Sequence, residues 1–135
     1  MKTKRIFLLL GHPDASGMCG AFADAYEASA QEAGHEVIRM NIGEMQFDPI
    51  LHKGYRAIQE LEPDLKRFQE AVQAADHFVV VYPVWWVGMP AILKGLFDRA
   101  WPQYRKPLED NWAPYVRGEI TRAQAIERTL AALTR

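Results

Sequence analysis

Apolar residues along this chain fall into short continuous runs that alternate with helical stripes. Ile6 to Leu10 is unbroken apolar sequence, the signature of a parallel strand covered on both faces. His35 to Ile42 mixes polar and apolar positions, which predicts a second strand nearer a sheet edge. Phe78 to Tyr82, rich in β-branched and aromatic residues, predicts a third. Between them the period lengthens. Met18 to Ala33 carries Phe22, Tyr26 and Ala30 at four-residue spacing and ends at Gly34, a favoured helix stop. Asp64 to Ala75 carries Leu65, Phe68 and Val72. Residues 90–101 carry Leu93, Leu96, Phe97 and Ala100, opened by Pro90, whose missing N–H is harmless in a first turn. A last helix is predicted from Thr121, with Gln124 completing a capping box and Ile126, Leu130 and Leu133 forming its apolar stripe. Residues 43–63 read as irregular, with Tyr55 to Leu61 helical within them.

Strand, helix, strand, helix, strand, helix is an α/β order, and its crossovers close right-handed. The expected architecture is a parallel sheet in the order 2-1-3 with helices on both faces. After Trp101 no strand-like run appears. Residues 102–118 hold Pro102, Pro107 and Pro114 with the aromatics Tyr104, Trp112 and Tyr115, and proline donates nothing to a strand ladder. Strands 4 and 5 are therefore not recognisable, and strand 3 is left at an edge. A bare apolar edge invites pairing, so a homodimer is expected, with a two-fold related copy supplying the cover; the alternative is that the last helix folds back over strand 3 within one chain. We read 1–135 as one domain whose residues 102–135 form a divergent C-terminal segment.

Composition narrows the class. The 135 residues carry a formal net charge of −1, with 49% hydrophobic and 24% charged residues, the profile of a folded globular domain. Nothing is basic enough to suggest nucleic-acid binding. No apolar run approaches the roughly 20 residues that span a bilayer. The five-residue run after the basic start is too short for a signal peptide, and the single cysteine, Cys19, forms no internal disulfide. A cytoplasmic protein is the expectation. His35, His52 and His77 have no partners at ligand spacing, so no metal site is predicted.

Two loops carry the candidate chemistry. The first, Gly11-His12-Pro13-Asp14-Ala15-Ser16-Gly17, leads from strand 1 into the first helix. Exposed N–H groups of a helix N-terminus suit an anion, and His12 and Ser16 can add an imidazole N–H and a hydroxyl. The alternative is that Ser16 only caps the helix and His12 only packs a turn. Cys19 lies in the first helical turn, where a thiol can be activated, or it is a small filler. The second loop contains Pro83, Val84, Trp85, Trp86, Val87 and Gly88. Its two indoles either face a flat ligand or cover a core or subunit interface. Ligands of open α/β sheets sit at the carboxyl ends of the strands. There, an anion loop beside an aromatic loop describes a ligand with an anionic tail and a flat head, the shape of flavin mononucleotide. No nucleophile or carboxylate pair suggests hydrolysis, and no catalytic side chain is assigned.

The segment YPVWWVGMPAILKGLFDR, residues 82–99, resembles the flavin loop and following helix of the NAD(P)H:quinone oxidoreductase family. GHPDAS, residues 11–16, is similar to that family's phosphate loop, and GHEVIRMNI with the later FDP resembles its second strand and the loop beyond. The likeness covers roughly residues 4–101. It implies a flavodoxin-like fold, FMN or FAD as cofactor, NAD(P)H as donor and two-electron reduction of quinone-like acceptors. By position it implies that His12, Ser16, Gly17, Met18 and Cys19 hold the phosphate and that residues 83–88 line the isoalloxazine. Met18 stands where the family often has a polar residue, and the family's fourth strand, with its own flavin loop, has no counterpart pattern here. Some relatives are ancillary subunits of transport systems, so a flavin-free regulatory module is the alternative expectation.

Overall fold

The structure, a computed structural model, describes residues 2–101, 110 and 113–133. Strand β1 (Arg5–Leu10) is followed by helix α1 (Met18–Glu32), strand β2 (Glu36–Asn41), helix α2 (Pro63–Ala74), strand β3 (His77–Val81), helix α3 (Ala91–Ala100) and helix α4 (Arg122–Leu133). The sheet order is β2-β1-β3. Both pairings are parallel, Arg5 lying beside Glu36 and Ile6 beside Val37 and His77. The fold is an α/β one with helices on both faces and three parallel strands among the described residues, in the order 2-1-3 expected from the sequence.

β1 is the middle strand and explains its own sequence. Its odd residues Phe7 and Leu9 point into a core with Met40, Ile42, Leu65, Phe68, Leu93 and Leu96 from the α2–α3 side. Its even residues Leu8 and Leu10 point to the α1 side and meet Ala23, with Cys19, Tyr26 and Val79 around them. Both faces are dry, so the usual alternation disappears. Phe7 stacks on Phe78 with centroids 5.1 Å apart and meets Phe68 edge-on at 5.7 Å. Full burial of such a ring stabilises by about 1.5–3 kcal/mol.

The edge strands differ from β1. β2 alternates between exposed and half-buried positions from Glu36 to Arg39 and buries Met40, in keeping with its mixed sequence. β3 is the more apolar of the two, yet Phe78 to Val81 are only half-buried, because no strand among the described residues covers its outer side. The sequence pattern alone reads this run as buried. The geometry corrects that: its composition suits burial, and its position withholds it.

Other elements also depart from expectation. Pro63 opens α2 from its first turn, where proline is favoured. Pro90 stands one residue outside α3 as its N-cap. The helix expected over Tyr55 to Leu61 is instead a single 3-10 turn, Gly54–Arg56, since Ala57 is already extended. Phe22 is 61% exposed; the buried face of α1 is formed by Gly20, Ala23 and Ala30. At α4 the capping box forms as read: Gln124 N–H donates to Thr121 Oγ1 at 3.3 Å and Thr121 N–H to Gln124 Oε1 at 2.8 Å. The buried face of that helix is Ala125 and Thr129, whereas Ile126 and Leu130 are exposed. The burial of Leu133 and the positions of Tyr104 and Trp112 lie outside what is described.

The excursion after β2 is held by side-chain hydrogen bonds to backbone. Asp64 accepts Gln46 N–H at 2.6 Å, and Glu62 accepts Asp48 N–H at 3.1 Å. Arg99, fully buried on α3, donates to the carbonyls of Asp48 and Glu60 and to both carboxylate oxygens of Glu62. Gly95 lies under Pro49 so closely that a Cβ would overlap its carbonyl oxygen. The pair of α3 residues thus clamps the excursion to the sheet layer.

Candidate functional site

The first and second loops leave the carboxyl ends of β1 and β3, which are adjacent strands. Gly11 N–H donates to Val81 O at 2.7 Å, extending the ladder one residue beyond β1. That bond draws the two loops together. The His12 ring meets Trp85 edge-to-face, with centroids 5.4 Å apart and planes at 78°. The structure thereby brings one predicted residue from each loop into contact.

In the first loop, Gly17 is the N-cap of α1 and no side chain caps the helix. Ser16 therefore does not have the capping role. Its Oγ donates to Asp14 Oδ1 at 2.8 Å, and its N–H donates to the same oxygen at 2.9 Å. Asp14 N–H donates to His12 Nδ1 at 2.9 Å. The neutral imidazole consequently carries its proton on Nε2, leaving that nitrogen as the donor. The hydrogen bonds from Ser16 N–H and Oγ hold the Asp14 carboxyl below its ordinary range. Asp14 is thus an ionised carboxylate on donors that a phosphate oxygen would use. Met18 is 74% exposed, and Cys19 is half-buried against the Leu8–Leu10 core, in keeping with the filler reading. Gly20 is required here, because a Cβ would overlap the carbonyl of Ala15.

The second loop is a tight hairpin. Trp85 and Gly88 exchange backbone hydrogen bonds of 2.8 and 3.0 Å, and the two residues between them, Trp86 and Val87, have φ of +50° and +64°. Positive φ at both central positions is the type I′ arrangement that Asn and Gly normally fill. A β-branched valine there is strained. The turn holds Trp86 and Val87 out with their side chains wholly solvent-exposed. Pro83 is half-buried and Val84 is exposed. Of the six residues predicted for a ring site, Trp85 touches the first loop, and Trp86 and Val87 are wholly solvent-exposed.

Sequence reading left two contributors without roles. Asp14 lies within the quoted GHPDAS, and its spacing to Ser16 is that of an Asx-turn. Arg99 ends the quoted segment of residues 82–99, and only the three-dimensional approach of Glu62 from across the excursion reveals its partner. Among the described residues, no cluster of three or more His, Cys, Asp or Glu could hold a metal ion. No helix among them is long and apolar enough to cross a membrane.

The profile of the flavodoxin-like fold family matches residues 4–107. The chain is 30% identical over 112 residues to an uncharacterized NAD(P)H oxidoreductase, YcaK, of Escherichia coli, covering 75% of this chain and 54% of that protein. It is 35% identical over 96 residues to an uncharacterized NAD(P)H oxidoreductase of Haemophilus influenzae, covering 68% and 48%. Among solved structures, the NAD(P)H:quinone oxidoreductase from Methanothermobacter marburgensis superposes with a TM-score of 0.65 at 28% identity, covering 74% of this chain and 54% of that one. The chain belongs to this flavodoxin-like family of NAD(P)H oxidoreductases and quinone reductases. It spans about half the length of the curated relatives it matches.

Proposed function

We propose that this chain binds a flavin, FMN or FAD, across the carboxyl ends of β1 and β3. With NAD(P)H as donor, it reduces quinone-like acceptors by two-electron transfer. The observation that carries the reading is the His12–Trp85 contact, which joins an anion-suited loop to an aromatic one. Both ends fit the group. The uncapped N-terminus of α1 offers backbone N–H groups, and His12 offers Nε2–H. Residues 83–88 offer an exposed aromatic and apolar surface. In the proposed site, His12, Ser16, Gly17, Met18 and Cys19 surround the phosphate and Pro83 to Gly88 face the ring. A bound flavin supplies the hydride chemistry, accepting from nicotinamide and delivering to the quinone. The chain's residues orient it: His12 and the α1 N–H groups anchor the anionic end, and Trp85 sets the plane of the flat end.

The half-exposed outer edge of β3 supports a homodimer as the working form; a single domain and a cytoplasmic location remain part of the proposal. One observation favours the alternative of a flavin-free regulatory module: Asp14 already occupies the Ser16 donors. Anaerobic addition of NADH or NADPH to flavin-loaded protein tests the reading. We expect the visible flavin absorbance to bleach and to return on adding a benzoquinone. Protein that binds no flavin, or whose flavin does not respond to either nicotinamide, contradicts it.

A further inference from the structure

At the end of the sheet opposite the two loops lies a groove of about 360 Å³, floored by Ile6 and Ala30 and rimmed by Lys4, Tyr26, Ser29, His35 and His77. Strand register builds it. Glu36 N–H donates to Lys4 O at 3.0 Å, and Lys4 N–H donates to His35 Nδ1 at 3.3 Å, so His35 stands beside Lys4. Ile6 pairs with His77 on the other side of β1. In a strand, residues two apart share a face. Lys4 and Ile6 therefore look to the α1 side, with a histidine flanking each. α1 closes that side with Tyr26, Ser29 and Ala30.

The chemistry of this lining is one-sided. It offers an ammonium, two imidazoles and two hydroxyls, and no carboxylate. The hydrogen bond at His35 Nδ1 leaves Nε2–H as its donor. Glu36 and Asp76 adjoin His35 and His77 in sequence but are not part of the lining. Asp76 accepts Arg5 N–H at 2.8 Å, and Lys4 is among the cations that, after that bond, hold its carboxyl below the ordinary range. The floor is apolar, with Ile6 and Ala30 buried. The volume falls at the lower end of small-ligand sites.

We propose that this groove binds a small organic anion, a carboxylate with a compact apolar body. The carboxylate lies among Lys4, His35 and His77, and the body rests on Ile6 and Ala30. This site is separate from the proposed flavin site and does not depend on it.

Benzoate is the probe, and proton NMR of the imidazole C–H resonances is the readout in the full chain. The four histidines divide the molecule: His35 and His77 report the groove, His12 the first loop and His52 the excursion. We expect saturable shifts of His35 and His77 with one shared Kd in the millimolar range, while His12 and His52 stay still. Lys4→Gln, an exposed substitution, should weaken that Kd about three- to fivefold. Benzyl alcohol, which lacks the charge, should give no saturable shift. Inorganic phosphate, which lacks the apolar body, should bind more weakly than benzoate. Several outcomes overturn the proposal: no saturation by benzoate, an equal response to benzyl alcohol or phosphate, equal movement of His12, or an unchanged Kd in Lys4→Gln.

Discussion

Replacing Glu62 by glutamine tests the clamp that carries the long excursion onto α3. Arg99 has essentially no exposed surface, and its guanidinium is neutralised by the Glu62 carboxylate at 2.9 Å. Glutamine keeps the shape and one acceptor oxygen but removes the charge and leaves a guanidinium in the interior. Breaking a fully buried pair costs about 3–5 kcal/mol. Glu62 keeps 31% of its side chain in solvent, so screening lowers the expectation to about 2–3 kcal/mol at neutral pH. The pH dependence follows from the carboxyl. Burial alone would push Glu62 up, but hydrogen bonds from Arg99 and from Asp48 N–H outweigh it and hold the group below 4.5. A depressed carboxylate stabilises fully above its unfolded value and loses that contribution as pH falls through the folded one. Urea unfolding of both proteins from pH 7 to pH 3 is the assay. The difference should be about 2–3 kcal/mol at pH 7 with an unchanged denaturant slope and shrink below pH 4.5. A difference under about 0.5 kcal/mol at pH 7, the noise level of ordinary surface changes, would refute the clamp, as would one constant with pH.

Gly95→Ala should destabilise by about 1–3 kcal/mol through overlap with Pro49, reversing the roughly 1 kcal/mol that alanine normally gains over glycine in a helix; urea unfolding reads the sign. Val87→Gly should raise the melting temperature and add about 0.5–1 kcal/mol, because a fully exposed valine at φ +64° loses only strain. Asp14→Asn keeps the turn to Ser16 and removes its charge. FMN should then bind about fivefold tighter at low salt, with riboflavin unchanged; equal changes for both ligands would mean that Asp14 only shapes the loop.

Periodicity made the fold largely legible. The unbroken run at Ile6 to Leu10 declares a strand buried on both faces, and β1 is that strand. Glycine, proline and the Thr121–Gln124 box mark element ends within a residue or two because their signals are local. Burial beyond the middle strand was less legible. The apolar stripes of β3 and α4 state what those residues suit, while the neighbours that would cover them are set by topology. At the candidate site, chain order alone brings the two loops to adjacent strand ends. The contact between His12 and Trp85 depends on backbone turns that no spacing rule encodes. The occupation of the Ser16 donors by Asp14 was readable as an Asx spacing, though its electrostatic consequence needs the geometry. Arg99 and Glu62 are 37 residues apart, beyond any local pattern.

The proposed function requires the Trp85 loop and the His12 loop to form one flavin site. Titration of FMN into the protein, followed by quenching of flavin fluorescence, tests it most directly when repeated on Trp85→Ala. Saturable 1:1 quenching by the parent chain is expected. A loss of about 1–3 kcal/mol, the scale of one base–aromatic stack, corresponds to roughly five- to 150-fold weaker binding in the variant. Absence of saturable quenching, or equal affinity in Trp85→Ala with its fold intact, would contradict it.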